Sequence, residues 1–192
     1  MLNYYIEIQL QPDEEIPAAF LMSKAYMVIH KALAKASTDG ACPIGTAFPQ
    51  MDEKTYDMGN VIRLFAEDKA TLESLHLSKM LSNLSDYLMV SSVRPVRAVK
   101  GYASYSKVHF PLTKSKIRRY ARYRGLTDEE ASKMYKTPEH ENYPGIRLRS
   151  TSTAQDYVLF IHRESYEQPN DGLFSTMGLS SKTGKITVPV FR

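Results

Sequence analysis

The sequence has very little cysteine and no long apolar run. Cys42 is the one cysteine among 192 residues, which excludes an internal disulfide and a cysteine-rich zinc site. Every apolar stretch is far shorter than the roughly 20 residues that a membrane span needs. The first fifteen residues also lack the basic-then-apolar layout of a secretory signal. We therefore expect a soluble, cytoplasmic protein.

The sequence also lacks the common motifs of nucleotide and hydrolase chemistry. It has no P-loop, no Gly-x-Gly-x-x-Gly and no Gly-x-Ser-x-Gly, so a nucleotide-fuelled enzyme or an esterase has no support. None of its five histidines lies in a His-Glu-x-x-His or similar pattern. We expect a protein that needs no metal and no cofactor.

Acidic residues are absent from one long stretch, between Asp86 and Asp128. Ten of the 25 basic residues lie there, and the other 15 face 21 acidic residues elsewhere, where the net charge is −6. The ten are Arg94, Arg97, Lys100, Lys107, Lys114, Lys116, Arg118, Arg119, Arg122 and Arg124. Such segregation favours a polyanionic partner, a phosphate backbone above all. The alternative is a solvated basic face.

The centre of this stretch, residues 112–125, has the pattern of an arginine-rich helix. Lys114, Arg118 and Arg122 lie at i, i+4 and i+8 and share one face, with Arg119 beside it. The other side carries two apolar residues that can pack against the body of the protein, Ile117 and Ala121. Guanidinium groups match phosphate oxygens and guanine edges, so duplex RNA suits this helix.

The first half predicts the order strand, helix, strand, strand, helix, strand. The segments are residues 4–10, 18–36, 44–48, 61–66, 69–84 and 87–93. This is the order of the ferredoxin-like fold, which RNA-recognition modules share. We therefore predict an α+β protein with a ferredoxin-like (RRM-like) N-terminal domain at residues 1–94.

The second half, residues 95–192, predicts an RNA-binding domain with the arginine-rich helix and a small β-sheet. Gly125 is placed as the residue that ends the basic helix. Thr127 and Glu130 form a capping box for a second helix that reaches about residue 136. The predicted strands are residues 146–149, 157–162, 174–179 and 185–190.

Two groups of residues suggest chemistry on RNA. His30 lies mid-helix, beside the apolar stripe and one turn after Tyr26. Imidazole exchanges protons near neutral pH, and RNA supplies its own nucleophile, the 2′-OH, so no metal is needed. Ser150 and Ser152 point to one side of an extended segment, where two hydroxyls suit a phosphate or a ribose. The alternatives are a helix histidine without a role and ordinary strand serines.

Several segments together resemble the CRISPR repeat-processing endoribonucleases of type I-F systems. They are, in order, QLQPDEEIPAAFLMSKAYMVIHKAL, IGTAFP, GLTDEEA after the basic helix, LRSTSTAQDYVLFI, and the closing GLS and PVF. The resemblance implies binding of the CRISPR repeat stem-loop and metal-independent cutting at its 3′ base. The cut leaves a cyclic or 3′ phosphate and a 5′-OH. It also implies that the protein stays on the mature RNA as a subunit of the type I-F surveillance complex.

The resemblance also assigns roles to residues. His30 matches the catalytic histidine and Ser150 the serine that holds the ribose, with Ser152 and Thr153 beside them. Tyr157 matches an aromatic that stacks on the last base pair. Arginines that lie in the RNA groove match Arg118, Arg119 and Arg122, and Lys114 extends this ladder.

Two features of the family are missing. The base-reading Arg-x-Gln has no clear match, and the nearest positions are Tyr102 and Ser104. A tyrosine often found before Gly-Leu-Ser is Met177. One alternative to the nuclease is a non-cleaving, RNA-hairpin-binding structural subunit of a ribonucleoprotein. A general basic RNA-binding protein is another.

Overall fold

The computed structural model describes residues 1–108, 114–134, 143–150, 154–181 and 184–191, with side chains left undescribed at 114–116. The helices are α1 (Ala18–Ala36), α2 (Lys69–Glu73), α3 (Leu77–Met80), α4 (Lys114–Arg124) and α5 (Asp128–Met134). The strands are β1 (Tyr4–Leu10), β2 (Ala41–Cys42), β3 (Gly45–Ala47), β4 (Val61–Ala66), β5 (Leu88–Val90), β6 (Arg94–Pro95), β7 (Gly101–Lys107), β8 (Gly145–Arg149), β9 (Asp156–Tyr166), β10 (Phe174–Ser175) and β11 (Val188–Val190). The protein is thus of the α+β class.

The first sheet has the order β3-β4-β1-β5, with β6 also paired to β1 and every pairing antiparallel. β1, α1 and β4 begin and end where the sequence predicts. Ile6, Ile8 and Leu10 alternate toward the core along β1, which explains why the period of two located this strand. The β3 and β5 strands are shorter than predicted.

The predicted helix at residues 69–84 is wrong as one continuous helix. The segment forms α2, α3 and a 3₁₀ turn at Ser82–Leu84. His76 separates α2 from α3 with a φ of +47°, in the left-handed region. Leu72, Leu75, Leu77 and Leu81 are nevertheless buried. Leucines before and after the break are therefore buried, although the backbone does not form one helix.

The second sheet has the order β11-β7-β9-β8 and is also antiparallel. One of its two inner strands, β7, escaped sequence prediction because Gly-Tyr-Ala-Ser-Tyr-Ser-Lys has no aliphatic alternation. β9 extends four residues beyond its predicted end. The predicted strand at 174–179 is wrong beyond Ser175, where the chain enters a tight turn, and β11 takes only the end of 185–190.

The two helices of the second half pack against each other. Leu126 N–H bonds the Ala121 carbonyl at 2.9 Å while Gly125 has a φ of +65°, which confirms the predicted helix end. The predicted capping box is confirmed, since Glu130 accepts from Thr127 N–H at 2.9 Å. Ala121 is buried, but its described partner is α5 rather than the main core.

One continuous hydrophobic core includes residues from both sides of the predicted boundary near residue 94. α1 contacts β1 of the first sheet and packs most extensively against β8 of the second. β10 pairs with β2, so a C-terminal segment completes the N-terminal half. The domain boundary itself stays a prediction.

Among the described residues, the helices are all too short or too polar to cross a lipid bilayer.

Candidate active site

His30 lies on the buried side of α1 near its middle and is half-exposed. Its Nδ1 lies 3.2 Å from the backbone carbonyl oxygen of Thr176, in the distant C-terminal half. A carbonyl oxygen can only accept, so in the neutral ring Nδ1 carries the hydrogen and Nε2 keeps its lone pair. The contact therefore selects the tautomer in which Nε2 is the proton acceptor.

The carbonyl that holds His30 belongs to a tight turn. Ser175 and Leu179 pair across a three-residue loop, in which Gly178 N–H bonds the Ser175 carbonyl at 2.8 Å. Gly178 has a φ of +68°, as expected for a turn followed by a left-handed residue. A Cβ on Gly178 would lie 2.2 Å from Thr46 Oγ1, so α1 and β3 leave no room for a side chain.

Tyr26, one turn before His30, is fully buried and reaches the same turn. Its hydroxyl donates to the Met177 carbonyl at 2.8 Å. Burial, and secondarily the nearby Tyr157 phenol, raises the pKa of Tyr26 far above its usual range. Two consecutive carbonyls of the loop, those of Thr176 and Met177, therefore bind His30 and Tyr26, which lie one helical turn apart on α1.

The structure brings Ser150 and Tyr157 to the side of the second sheet that α1 covers. Ile146 and Leu148 are buried on that side, and Ser150 continues their alternation. Tyr157 lies directly opposite Leu148, so it shares this face. The Tyr157 phenol is near enough to Tyr26 to contribute to its raised pKa, which relates this end of the β8–β9 pair to the helical turn before His30.

Lys107 is a further candidate that the sequence signalled only as one of ten basic residues. Its Nζ lies 5.9 Å from the centre of the Tyr157 ring, within the range of a cation–π contact. Lys107 follows Ala103 and Tyr105 along the buried side of β7. A positive charge is thus placed beside the proposed stacking residue.

The basic helix α4 exposes its arginines. Arg118, Arg119 and Arg122 are all exposed, and Arg118 pairs with Asp128 across a 3.6 Å gap. Tyr123 is 83% exposed, so it is free of the core and open to a ligand. Lys114 lies at the start of α4, while Ser152 and Thr153 lie outside the described residues.

Tyr102 and Ser104 are not brought to the face that carries Ser150. They alternate with Ala103 and Tyr105 of the core, so they lie on the opposite face of β7. Tyr102 lines a groove between the two halves, and Ser104 lines a separate pocket. The two predicted base-reading positions therefore open into different cavities.

His162, which lines the pocket beside Ser104, forms a histidine–carboxylate pair with Glu53 that the sequence did not signal. Nδ1 of His162 lies 3.0 Å from Glu53 Oε1, and the ring meets Tyr143 edge to face at 5.7 Å. Glu53 also accepts from the Arg163 backbone N–H at 2.8 Å. The pair fastens the loop at residues 52–57 to the second sheet. Within the described part of the chain, no group of three or more metal-binding side chains converges.

Comparison with known proteins gives one consistent match. The family model described as CRISPR-associated protein (Cas_Csy4) matches residues 5–191. Two relatives carry the name CRISPR-associated endonuclease Cas6/Csy4. That of Escherichia coli (strain UTI89 / UPEC) is 30% identical over 99% of this chain and 100% of its own length. That of Pseudomonas aeruginosa (strain UCBPP-PA14) is 32% identical over 93% and 96%. A solved structure described as "An RAMP protein binding different RNA substrates" covers both chains fully at 9% identity, with a TM-score of 0.35 that is too low to establish a common fold.

Proposed function

Because the chain belongs to the Cas_Csy4 family of CRISPR-associated proteins, we propose that it is a metal-independent endoribonuclease. It binds the stem-loop of the CRISPR repeat RNA and cuts at the 3′ base of the stem. Relatives of nearly equal length that are named endonucleases support the activity. The hydrogen bond between His30 Nδ1 and the Thr176 carbonyl is the observation that carries the mechanism.

His30 is the general base of this reaction. Its Nε2 takes the proton of the 2′-OH next to the bond to be cut, and the 2′-oxygen attacks the adjacent phosphorus. The phosphorus–O5′ bond breaks, the leaving 5′-oxygen takes up a proton from solvent water, and His30 returns its own proton to solvent. The products are a 2′,3′-cyclic phosphate, which water can open to a 3′ phosphate, and a 5′-OH. The nucleophile belongs to the substrate, so the protein supplies position and proton transfer.

The residues at the end of the β8–β9 pair position the substrate. Ser150 holds the ribose at the cut site, with Ser152 and Thr153 beside it. Tyr157 stacks on the last base pair of the stem, and Lys107, at 5.9 Å from its ring, supplies positive charge near the phosphate. The packing of α1, which carries His30, on β8, which leads into Ser150, supports this assignment.

The basic helix α4 lies in the groove of the RNA stem. Its exposed arginines, Arg118, Arg119 and Arg122, bind phosphates, and Lys114 extends the ladder. Asp128 offsets part of the charge of Arg118, so a phosphate competes with that carboxylate. Tyr102 and Ser104 stay predicted base contacts. They lie on the face of β7 opposite to that of Ser150 and Tyr157, and Ser104 is buried there.

The finer assignments of architecture and assembly also belong to this proposal. We assign residues 1–94 to a ferredoxin-like domain, supported by the strand order β3-β4-β1-β5. Residues 95–192 form the RNA-binding domain with the arginine-rich helix. After cleavage the protein stays on the mature hairpin as a subunit of the type I-F surveillance complex, in the cytoplasm.

Incubation of the purified protein with its repeat RNA in excess EDTA tests the activity. We expect one cut at the 3′ base of the stem and a product that ends in a cyclic or 3′ phosphate. Intact RNA would instead support the non-cleaving hairpin-binding subunit. A substrate with 2′-deoxyribose at the cut site is the matched control: it should bind and stay intact, and its cleavage would exclude the 2′-OH as nucleophile.

A further inference from the structure

We propose that Tyr26 is a positioning residue for His30, acting through the turn at residues 175–178. The proposal rests on the proposed function, because it concerns the base of that reaction. The Tyr26 hydroxyl binds the Met177 carbonyl, and the carbonyl just before it, that of Thr176, binds His30. Tyr26 thereby fixes the acceptor that selects the tautomer of His30.

The argument follows the peptide planes of the turn. The plane that joins residues 177 and 178 is held at both ends, since its carbonyl accepts from Tyr26 at 2.8 Å and its N–H donates to Ser175 at 2.8 Å. The next plane is held too, because the Gly178 carbonyl accepts from Thr46 N–H at 2.7 Å. The plane that faces His30 carries the Thr176 carbonyl, and it adjoins the first of these two planes at the Cα of Met177. Since each peptide is rigid, fixing its neighbour restricts its orientation.

The hydroxyl, rather than the ring, carries this role. Tyr26 is 0% exposed, so its hydroxyl meets the Met177 carbonyl away from solvent, and a carbonyl that loses such a donor must find another partner or reorient. The other described donor to the Met177 carbonyl is Thr46 Oγ1, at a long 3.5 Å. The raised pKa of Tyr26 supports the same reading, since the phenol stays protonated and able to donate.

The spacing on α1 explains why a tyrosine fits at this position. Residues four apart on a helix lie on one face, about 5 to 6 Å apart. Tyr26 and His30 therefore reach two neighbouring carbonyls of one turn. A phenylalanine would keep the ring contact with Phe48, whose centre lies 5.6 Å from that of Tyr26, and lose only the hydrogen bond.

The test compares Tyr26→Phe with Tyr105→Phe. Tyr105 is also buried, its hydroxyl also donates to a backbone carbonyl, that of Phe48 at 3.3 Å, and its ring centre lies 5.8 Å from that of Phe48. Both variants lose one buried hydroxyl, so a general loss of stability affects both. Two quantities are measured: the single-turnover cleavage rate at saturating RNA and the ¹⁵N shifts of the two ring nitrogens of His30.

We expect Tyr26→Phe to lower the cleavage rate about tenfold without weakening hairpin binding. The two ¹⁵N shifts of His30 should move toward each other as the second tautomer becomes populated. Tyr105→Phe should leave both readouts at their wild-type values. Unchanged nitrogen shifts in Tyr26→Phe, or equal changes in both variants, would overturn the proposal.

A second variant keeps the test open if Tyr26→Phe folds poorly. Thr46→Val removes the weaker donor to the same carbonyl at nearly constant volume, and it should change the shifts in the same direction by less. Unchanged ¹⁵N shifts of His30 in Thr46→Val would then contradict the proposed positioning role of Tyr26. The nitrogen shifts need no RNA, so failure of this inference is distinct from failure of the proposed cleavage, which the wild-type protein tests alone.

Discussion

Helices α1 and α4 both carry residues of the proposed RNA site, but they are held in different ways. The apolar face of α1 is buried along the length of the helix. Tyr26 and His30 are hydrogen-bonded to a turn about 150 residues away in the sequence. α4 packs against α5, and its arginines point to solvent. Proton transfer needs a fixed geometry, whereas phosphate binding needs charge that can adapt to a groove.

This contrast separates two kinds of effect. Changes around α1 should alter the cleavage rate and leave RNA binding intact. Changes on α4 should alter binding and its dependence on salt, and leave the rate at saturation intact. A variant in α1 that affected only binding, or one in α4 that affected only the rate, would break the comparison.

The largest effect is expected from His30→Ala. Removal of the proposed base should lower the single-turnover cleavage rate by about 10²- to 10⁴-fold, while hairpin affinity stays nearly constant. His76→Asn is the matched control, because His76 is an exposed histidine whose left-handed backbone asparagine tolerates. Cleavage by His30→Ala at the wild-type rate would exclude His30 as the base.

A smaller effect, on binding, is expected when Arg118, Arg119 and Arg122 are all replaced by Gln. Each lost phosphate contact should reduce the slope of log affinity against log salt by about 0.7 to 0.9. The rate at saturating RNA should stay within a factor of about two, as no reacting group is removed. A triple change of exposed lysines elsewhere, Lys35, Lys54 and Lys79 to Gln, controls for net charge. Equal slopes for the two triple variants would show that α4 is not the main contact.

Gly178, in the turn that binds α1, and Gly125, at the end of α4, both have a positive φ. Replacing each of them compares how tightly the two regions are packed. Gly178→Ala adds backbone strain and places a Cβ 2.2 Å from Thr46 Oγ1, so we expect a loss of about 2 to 5 kcal/mol in the free energy of unfolding. Gly125→Ala, after α4, has no atom within 4 Å of the new Cβ and should lose about 1 to 2 kcal/mol. Chemical denaturation measures both. Equal losses would mean that the turn is not held tightly by α1 and β3.

The smallest effect concerns the start of α5. Hydrogen bonds from the Thr127 N–H and hydroxyl lower the pKa of Glu130 from its ordinary value of 4.5. A carboxyl with a lowered pKa stabilises the fold above that ordinary value, and the contribution is lost as the pH falls through the folded-state pKa. Hydrogen exchange at the Thr127 amide should therefore quicken relative to the intrinsic rate in acid.

Glu130→Gln keeps the capping bond without the titration, so its protection should not change over that range. Glu129→Gln removes a neighbouring exposed carboxyl instead. In that variant the protection of the Thr127 amide should change with pH as it does in the wild type. If the protection of the Thr127 amide in the wild type did not change with pH, the assignment of Glu130 as the titrating cap would be contradicted.

Where local pattern decided the structure, the sequence predicted it. The ends of α1, the Gly125 helix end and the Thr127–Glu130 cap are set by apolar spacing, backbone conformation and side chains within a few residues. The break at His76 escaped prediction, and so did the strand β7, whose pairing partners are distant in sequence. β7 lies between β9 and β11, and pairing on both sides makes a strand of a segment without strong strand propensity.

By itself the sequence determined that positive charge gathers in one stretch, that α1 is amphipathic, and that His30 lies one turn from Tyr26. These are properties of composition and helical period. Only the tertiary structure decided which nitrogen of His30 holds the hydrogen, because its partner is a backbone carbonyl 146 residues away. The tertiary structure likewise placed Ser150 and Tyr157 on one face and Ser104 on the other, since the side that a strand buries depends on what packs against it.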